Sequence, residues 1–433
     1  MTKRTSNGKN RVHRCVLTMT LLAATATGTV AQPRYDYDKM STERIDRGVV
    51  AVRQADGRVF VSWRTLRNDP VGQAFNVYRN GHQLNEKPLT QGGCYLVDEQ
   101  PPQGTDAVYE VTPLIPLPTP APGSTATPPD IPGGTFTLKA NSPTGYLSIP
   151  LQKPNGGTTP DGQPFSYVAN DASAADVDGD GQYELILKWD PTNAHDNAHD
   201  GYTGPTLFDC YRLDGQLLWR IDMGINVRSG AHYVPFIVYD LDGDGQAELM
   251  VKTADGTRDG VGNVIGDSTA DYRVAVEEAM KRPRNQENRE TQRPPQGGQR
   301  EQQWQRDGQR GERGQRGQRD RRPRFSGQPK EGRILSGPEY VTVFNGLTGE
   351  AMDTKPYIPE RGQLREWGDE KGNRSERYLA AVAYLDGQKA SAIFCRGYYT
   401  RSVIAAWDWD GSELKEHNCD DWKRHLLHES GGT

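Results

Sequence analysis

Cysteine is scarce and scattered in this chain. Five cysteines occur in 433 residues and none forms a C-x-x-C pair, which argues against a closely spaced zinc site. Long apolar runs are also missing, so no part of the mature chain is expected to span a membrane. No window carries sustained helical periodicity, and hydrophobic residues reach only 34%. What the sequence has instead is 48 glycines and 29 prolines. That balance favours many short strands joined by tight turns, an all-β protein.

The N-terminus reads as an export signal. Lys3, Arg4, Lys9, Arg11 and Arg14 form a basic segment, residues 15–30 an apolar but Thr-interrupted one, and Thr29-Val-Ala31 a small-residue cleavage site. Residues 1–31 are therefore a signal peptide, and the mature protein is secreted or periplasmic. Export leaves Cys94, Cys210, Cys395 and Cys419. The compartment permits disulfides, and isolated buried thiols are the other reading.

Charge is unevenly spread. Residues 281–330 hold 15 basic and 6 acidic side chains, whereas the whole chain is −5. With this stretch and the basic leader both set aside, the remainder carries −19. Such a body suits bound cations and argues against nucleic acid as its partner. The Arg/Gln/Gly-rich stretch 281–329 has almost no apolar residues and is expected to be a disordered insertion.

Residues 40–150 show short alternating segments, among them Val59-Phe-Val-Ser-Trp63 and Phe75-Asn-Val-Tyr78 followed by the turn pair Asn80-Gly81. A small antiparallel sandwich of the fibronectin type III kind is expected here. The proline-rich residues 113–132 follow as a loop or semi-rigid spacer. From residue 160 the chain becomes repetitive. Asp176-Val-Asp-Gly-Asp-Gly-Gln-Tyr-Glu-Leu-Ile-Leu-Lys-Trp189 recurs 64 residues later as Asp240-Leu-Asp-Gly-Asp-Gly-Gln-Ala-Glu-Leu-Met-Val-Lys-Thr253, with nine of fourteen positions identical. A degenerate third copy begins at Tyr384-Leu-Asp-Gly387. Each copy is followed by two further strand-like segments around an Asp-Gly or Asn-Gly turn. A four-stranded unit repeated at this period implies a β-propeller over residues 160–433. The stretch holds little more than three repeats, fewer than the four to eight blades that close a ring, so the chain is expected to be C-terminally incomplete.

The repeats open on chemistry. Asp176, Asp178 and Asp180, and again Asp240, Asp242 and Asp244, place three carboxylates within five residues, with Glu184 and Glu248 at position nine. Mutually repelling hard oxygens call for a hard cation, and Ca2+ accepts six to eight of them. An EF-hand needs a bidentate Glu at position twelve; here Leu187 and Val251 stand there. The loops are thus read as loop-into-strand calcium sites that staple the scaffold, with ordinary Asp-Gly turns as the plain alternative. Other polar residues gather near strand ends: Asn170-Asp171, Asp190 to His195, Arg228 to His232, and Asp255 to Asp259. Arg228 would suit a uronate carboxylate; His232 alone reads more readily as a structural histidine.

Together, Tyr167-Val-Ala-Asn-Asp-Ala-Ser173, Leu187-Lys-Trp-Asp-Pro-Thr-Asn193, Gly230-Ala-His-Tyr233, Lys252-Thr-Ala-Asp-Gly-Thr257, Leu335-Ser-Gly-Pro-Glu-Tyr340 and Gly397-Tyr-Tyr-Thr-Arg401 resemble polysaccharide lyase family 11, the rhamnogalacturonan lyases. The resemblance implies an eight-bladed, calcium-rich propeller behind a β-domain, acting as a monomer. It implies cleavage of the rhamnogalacturonan I backbone of pectin by calcium-assisted β-elimination, with Asn170 and Asp190 touching the sugar. It also puts the catalytic residues beyond residue 433. A non-catalytic, calcium-dependent carbohydrate-binding propeller is the alternative.

Overall fold

The computed structural model describes residues 40–114 (except 42, 68, 91 and 92), 133–274 and 331–417 (except 369). The leader, most of the proline-rich spacer, the Arg/Gln/Gly-rich tract and Cys419 lie outside the described residues. Among those described, the chain is all-β; a 3-10 turn at Leu364–Trp367 is its one helical element.

The first seven strands are β1 (Val50–Arg53), β2 (Val59–Ser62), β3 (Ala74–Arg79), β4 (His82–Gln83), β5 (Tyr95–Asp98), β6 (Ala107–Leu114) and β7 (Gly134–Leu138). They form two antiparallel sheets, ordered β1-β2-β5 and β4-β3-β6-β7. Alternation explains the packing. Val59 and Val61 point inward from β2, and Val77, Tyr109 and Val111 meet them from the second sheet in one core. Asn80 and Gly81 both take positive φ, 49° and 79°, as the two-residue turn between β3 and β4 demands. A two-stranded ribbon, β8 (Gly157–Thr158) and β9 (Pro164–Phe165), follows.

Three four-stranded meanders then succeed one another. The first comprises β10 (Tyr167–Ala175), β11 (Glu184–Pro191), β12 (Leu207–Tyr211) and β13 (Leu217–Asp222). The second comprises β14 (Phe236–Tyr239), β15 (Glu248–Ala254), β16 (Glu339–Phe344) and β17 (Ala351–Pro356). The third comprises β18 (Tyr378–Ala383), β19 (Ser391–Arg396), β20 (Val403–Trp409) and β21 (Leu414–Glu416). Each repeat of the sequence motif is thus the loop and second strand of one sheet, the degenerate copy included.

The middle sheet is covered on both faces. Leu249, Val251 and Phe344 pack toward Ile186, Phe208 and Trp219 of the first sheet. Met250, Val341 and Val343 pack toward Phe394, Trp407 and Trp409 of the third. This explains why β15 is buried at every position and carries the consecutive apolar residues Leu249, Met250 and Val251 rather than an alternation. The outer face of the third sheet is different: Leu379, Cys395 and Ile404 stand in one cross-strand row, and Leu379 is 65% exposed.

At one end of the sheets a strap of residues 40–46 runs across all three repeat loops. The Ser41 N–H donates to Gln388 O and its carbonyl accepts from the Tyr384 hydroxyl. Glu43 accepts from the Tyr183 hydroxyl at 3.2 Å, and the Asp46 N–H donates to Gly181 O at 2.7 Å. Cys94, Cys210 and Cys395 are free thiols.

Phe344 is fully buried between the first two sheets. Phe344→Ala should therefore cost about 3–5 kcal/mol in a denaturant melt, whereas Leu379→Ala on the exposed face should stay within about 0.5 kcal/mol.

Candidate functional site

Two acidic loops are built alike. In the first, Asp176 accepts the N–H groups of Gly179 at 2.7 Å and Gly181 at 2.8 Å, and Glu184 accepts that of Val177 at 3.1 Å. In the second, Asp240 accepts from Gly243 at 2.7 Å and Gly245 at 3.0 Å, and Glu248 from Leu241 at 2.9 Å. The turn requires left-handed backbone at Gly179 and Gly181, φ 79° and 89°. The result gathers one carboxylate oxygen each from Asp176, Asp178 and Glu184 within 4.8 Å, and likewise from Asp240, Asp242 and Glu248. Asp180 and Asp244 stay exposed, outside these groups, and cap the N–H of Gln182 and Gln246 at 2.7 Å.

The electrostatics call for a cation. Burial, helped by the neighbouring aspartates, pushes Glu184 up to about 7 and Glu248 up to about 8. Burial also raises Asp176 and Asp240. Arg212 reaches Asp178 at 2.7 Å from a half-exposed position, which leaves the two buried carboxylates of that loop without a cationic partner among the described residues. Hard oxygens crowded in this way fit a hard divalent ion. Glu43 of the strap joins this field: burial raises it, and the charges of Asp240 and Asp176 raise it further. Sequence spacing could not find Glu43, because it lies far upstream of both loops.

The opposite end of the first sheet carries a second constellation. The register of β10 against β11 shifts between Ala169 and Ala172, so Asn170 and Asp171 form a bulge that redirects both side chains. Asn170 Nδ2 donates to Asp190 Oδ2 at 2.8 Å, and Lys188 pairs with Asp171 at 2.7 Å. Asp190 is buried; its Oδ1 meets no donor among the described residues. Burial raises its pKa, while Lys188 pulls the other way. Glu184 and Asp190 begin and nearly end one strand, so the two sites stand about 20 Å apart.

Arg228 is not brought to this pair through any contact. Its guanidinium is buried and donates to the Tyr233 hydroxyl, His199 O and Gly201 O. His232 lies 4.0 Å from Asp196. Asp255 accepts from the Tyr272 and Tyr340 hydroxyls, and Asp259 caps the backbone of Val261, Asn263 and Ala351. Those two aspartates hold turns. Between the second and third sheets Glu339 gathers Lys252 at 3.1 Å, Arg361 at 2.8 Å and Arg396 at 2.6 Å. Three cations around one buried carboxylate hold Glu339 well below its ordinary range, against the opposing effect of burial. Glu376 accepts from Arg361 and Arg396 as well. Nothing in the local sequence marks this knot, since its members come from five separate segments.

Residues 146–285 and 307–429 match the family described as rhamnogalacturonan lyase family 11, C-terminal domain. Residues 40–119 match the rhamnogalacturonan I lyases beta-sheet domain. The chain is similar to the rhamnogalacturonan exolyase YesX of Bacillus subtilis (strain 168), 43% identical over 382 residues that cover 87% of this chain and 50% of that protein. It is also similar to the rhamnogalacturonan endolyase YesW of the same organism, 41% identical over 407 residues, covering 94% and 54%. The crystal structures of YesX and YesW superpose with TM-scores of 0.66 and 0.67 at 42% identity, over 87% of this chain and 51% and 52% of theirs. The chain thus spans about half the length of the curated relatives it matches.

The raised carboxyls predict a pH dependence. The unfolded chain releases these protons near 4.5, whereas the folded loops hold them to about 7 and about 8. Cation-free protein should therefore lose stability as pH rises from about 4.5 to about 8. Added Ca2+ should reverse that loss, read as the melting temperature against pH with and without a chelator. Glu184→Gln with Glu248→Gln should flatten the chelated profile.

Proposed function

The chain belongs to rhamnogalacturonan lyase family 11, and we propose that it cleaves the rhamnogalacturonan I backbone of pectin by β-elimination. The observation that carries this reading is the bulge that joins Asn170 to Asp190 while a buried Asp190 oxygen is left to accept. A carboxylate oxygen without a donor is costly to bury, and a sugar hydroxyl supplies the missing one. Family membership and the named relatives support the substrate class.

In such an elimination the proton at C5 of the uronate leaves first, and the glycosidic oxygen then departs from C4, forming a C4=C5 double bond. A calcium ion bound at the uronate carboxylate supplies charge that stabilises the enolate-like transition state. Asn170 and Asp190 orient the sugar ring, Asn170 as donor and Asp190 as acceptor, so that the C5–H faces its base. That base is not assigned to a residue of this chain. The two acidic loops take another part. Asp176, Asp178 and Glu184, with Asp240, Asp242 and Glu248, hold calcium as scaffold staples, while Asp180 and Asp244 shape the turns beside them. Their distance of about 20 Å from Asp190 supports that division.

The three meanders are consecutive blades of a propeller, eight-bladed as the family resemblance implies. Two observations support this reading: β10 abuts β14 and β14 abuts β18, as innermost strands around an axis do, and the blades share faces in series. Residues 40–150 form the fibronectin type III-like sandwich and residues 160–433 the propeller part, exported behind the signal of residues 1–31.

Incubating the protein with rhamnogalacturonan I and Ca2+ should generate the ultraviolet absorbance of the new double bond. Asn170→Ala and Asp190→Ala should each lower kcat/KM by about 100-fold with an unchanged melting temperature. Binding without any new absorbance would defeat the lyase reading.

A further inference from the structure

A small cavity lies where the loops between the three sheets converge. Its free volume is about 10 Å3, room for one small particle. Arg228, Lys252, Arg333 and Arg361 line it, with Glu376. These side chains are almost wholly buried; Arg333 is 2% and Arg228 3% exposed.

The hydrogen bonds of the two outer arginines are incomplete in a matching way. Arg333 uses Nε on Asp200, and Nη1 on Asn197 O at 2.7 Å and Lys371 O at 2.6 Å. Its Nη2 is buried and meets no acceptor among the described residues. Arg228 uses Nη1 on Tyr233, and Nη2 on His199 O at 2.8 Å and Gly201 O at 3.0 Å. Its Nε is likewise buried and unmet. Unmet donors on a buried charge are costly, and both belong to residues that line one cavity.

The charge is unbalanced in the same direction. Among the described residues, Lys252, Arg333, Arg361 and the adjoining Arg396 share three carboxylates, Glu339, Glu376 and Asp200, the last also approached by Lys371 of the lining, and Arg228 pairs with none of them. Glu376 is already shared by Arg361, Arg396 and the Tyr378 hydroxyl. A water could accept from Arg228 and Arg333 and donate to Glu376, which lines the cavity, but it would leave the excess positive charge in place. A monatomic anion accepts several N–H groups, needs no acceptor and offsets the charge.

We infer that this cavity is a halide site, occupied by chloride, with Arg228 Nε and Arg333 Nη2 as its principal donors. The ion would tie together segments 197–201, 228–233, 331–335 and 371–376. These join the three sheets at the end that carries Asn170 and Asp190. The site is separate from both acidic loops and does not depend on the lyase reading.

Two measurements on the unaltered 433-residue protein test it. Crystals grown in sodium bromide should show an anomalous peak between Arg228 and Arg333. The melting temperature should rise with sodium chloride and saturate as one site fills, whereas sodium gluconate at the same ionic strength should leave it flat. Arg228→Gln should abolish the bromide peak. An empty anomalous map at the cavity, or an equal rise in gluconate, would overturn the assignment. Acetate protecting as well as chloride would overturn the halide assignment too.

Discussion

Three carboxylates held within 4.8 Å of one another are the constraint on which this architecture turns. Burial and, after it, repulsion from the aspartates act together on Glu184 and Glu248, the first residues of the second strands of two sheets. Each glutamate also caps a loop N–H, so the position of the acid cluster and the start of the strand are one geometric fact. A cation that neutralises the cluster therefore fixes loop and strand together. The strap of residues 40–46 extends this tie to the neighbouring loops, with Glu43 reaching into the field of two clusters.

The sheets separate two kinds of chemistry by their length. The acidic loops sit at one end of β11 and β15, and Asn170 with Asp190 at the other end of β11. In the first loop each acidic side chain accepts a backbone N–H and shapes a turn. At the far end, the bulge withdraws Asn170 and Asp171 from the strand register and leaves one Asp190 oxygen unmet. Satisfied groups hold a fold, and unsatisfied buried groups point to a ligand. On that criterion the two ends have different roles.

Between the sheets, the knot of Glu339 and Glu376 with Lys252, Arg361 and Arg396 follows another logic. Buried charges persist when each finds partners, and breaking one side is severe. The Tyr378 hydroxyl lies within hydrogen-bond distance of both glutamates and shares its one proton between them, which joins the first strand of the third sheet to the second sheet. The surplus of guanidinium groups beside this knot sets the sign of anything bound there.

Much of this protein was written locally. Ligand spacing within nine residues, the glycines of the loops and the turn pair Asn80-Gly81 act on their immediate neighbours, so the sequence alone determined the acidic loops, the strand pattern and the repeat. The degenerate copy at residue 384 was readable for the same reason. Arg228 was not: its charge suggested a sugar carboxylate, yet its partners Tyr233, His199 O and Gly201 O are chosen by packing. Glu43, the pairing of Asn170 with Asp190 across a bulge, and the charge knot assembled from distant segments were decided by tertiary structure alone. Electrostatic and hydrogen-bond partnership depends on distance in space, and chain spacing predicts that distance only within a turn or a strand.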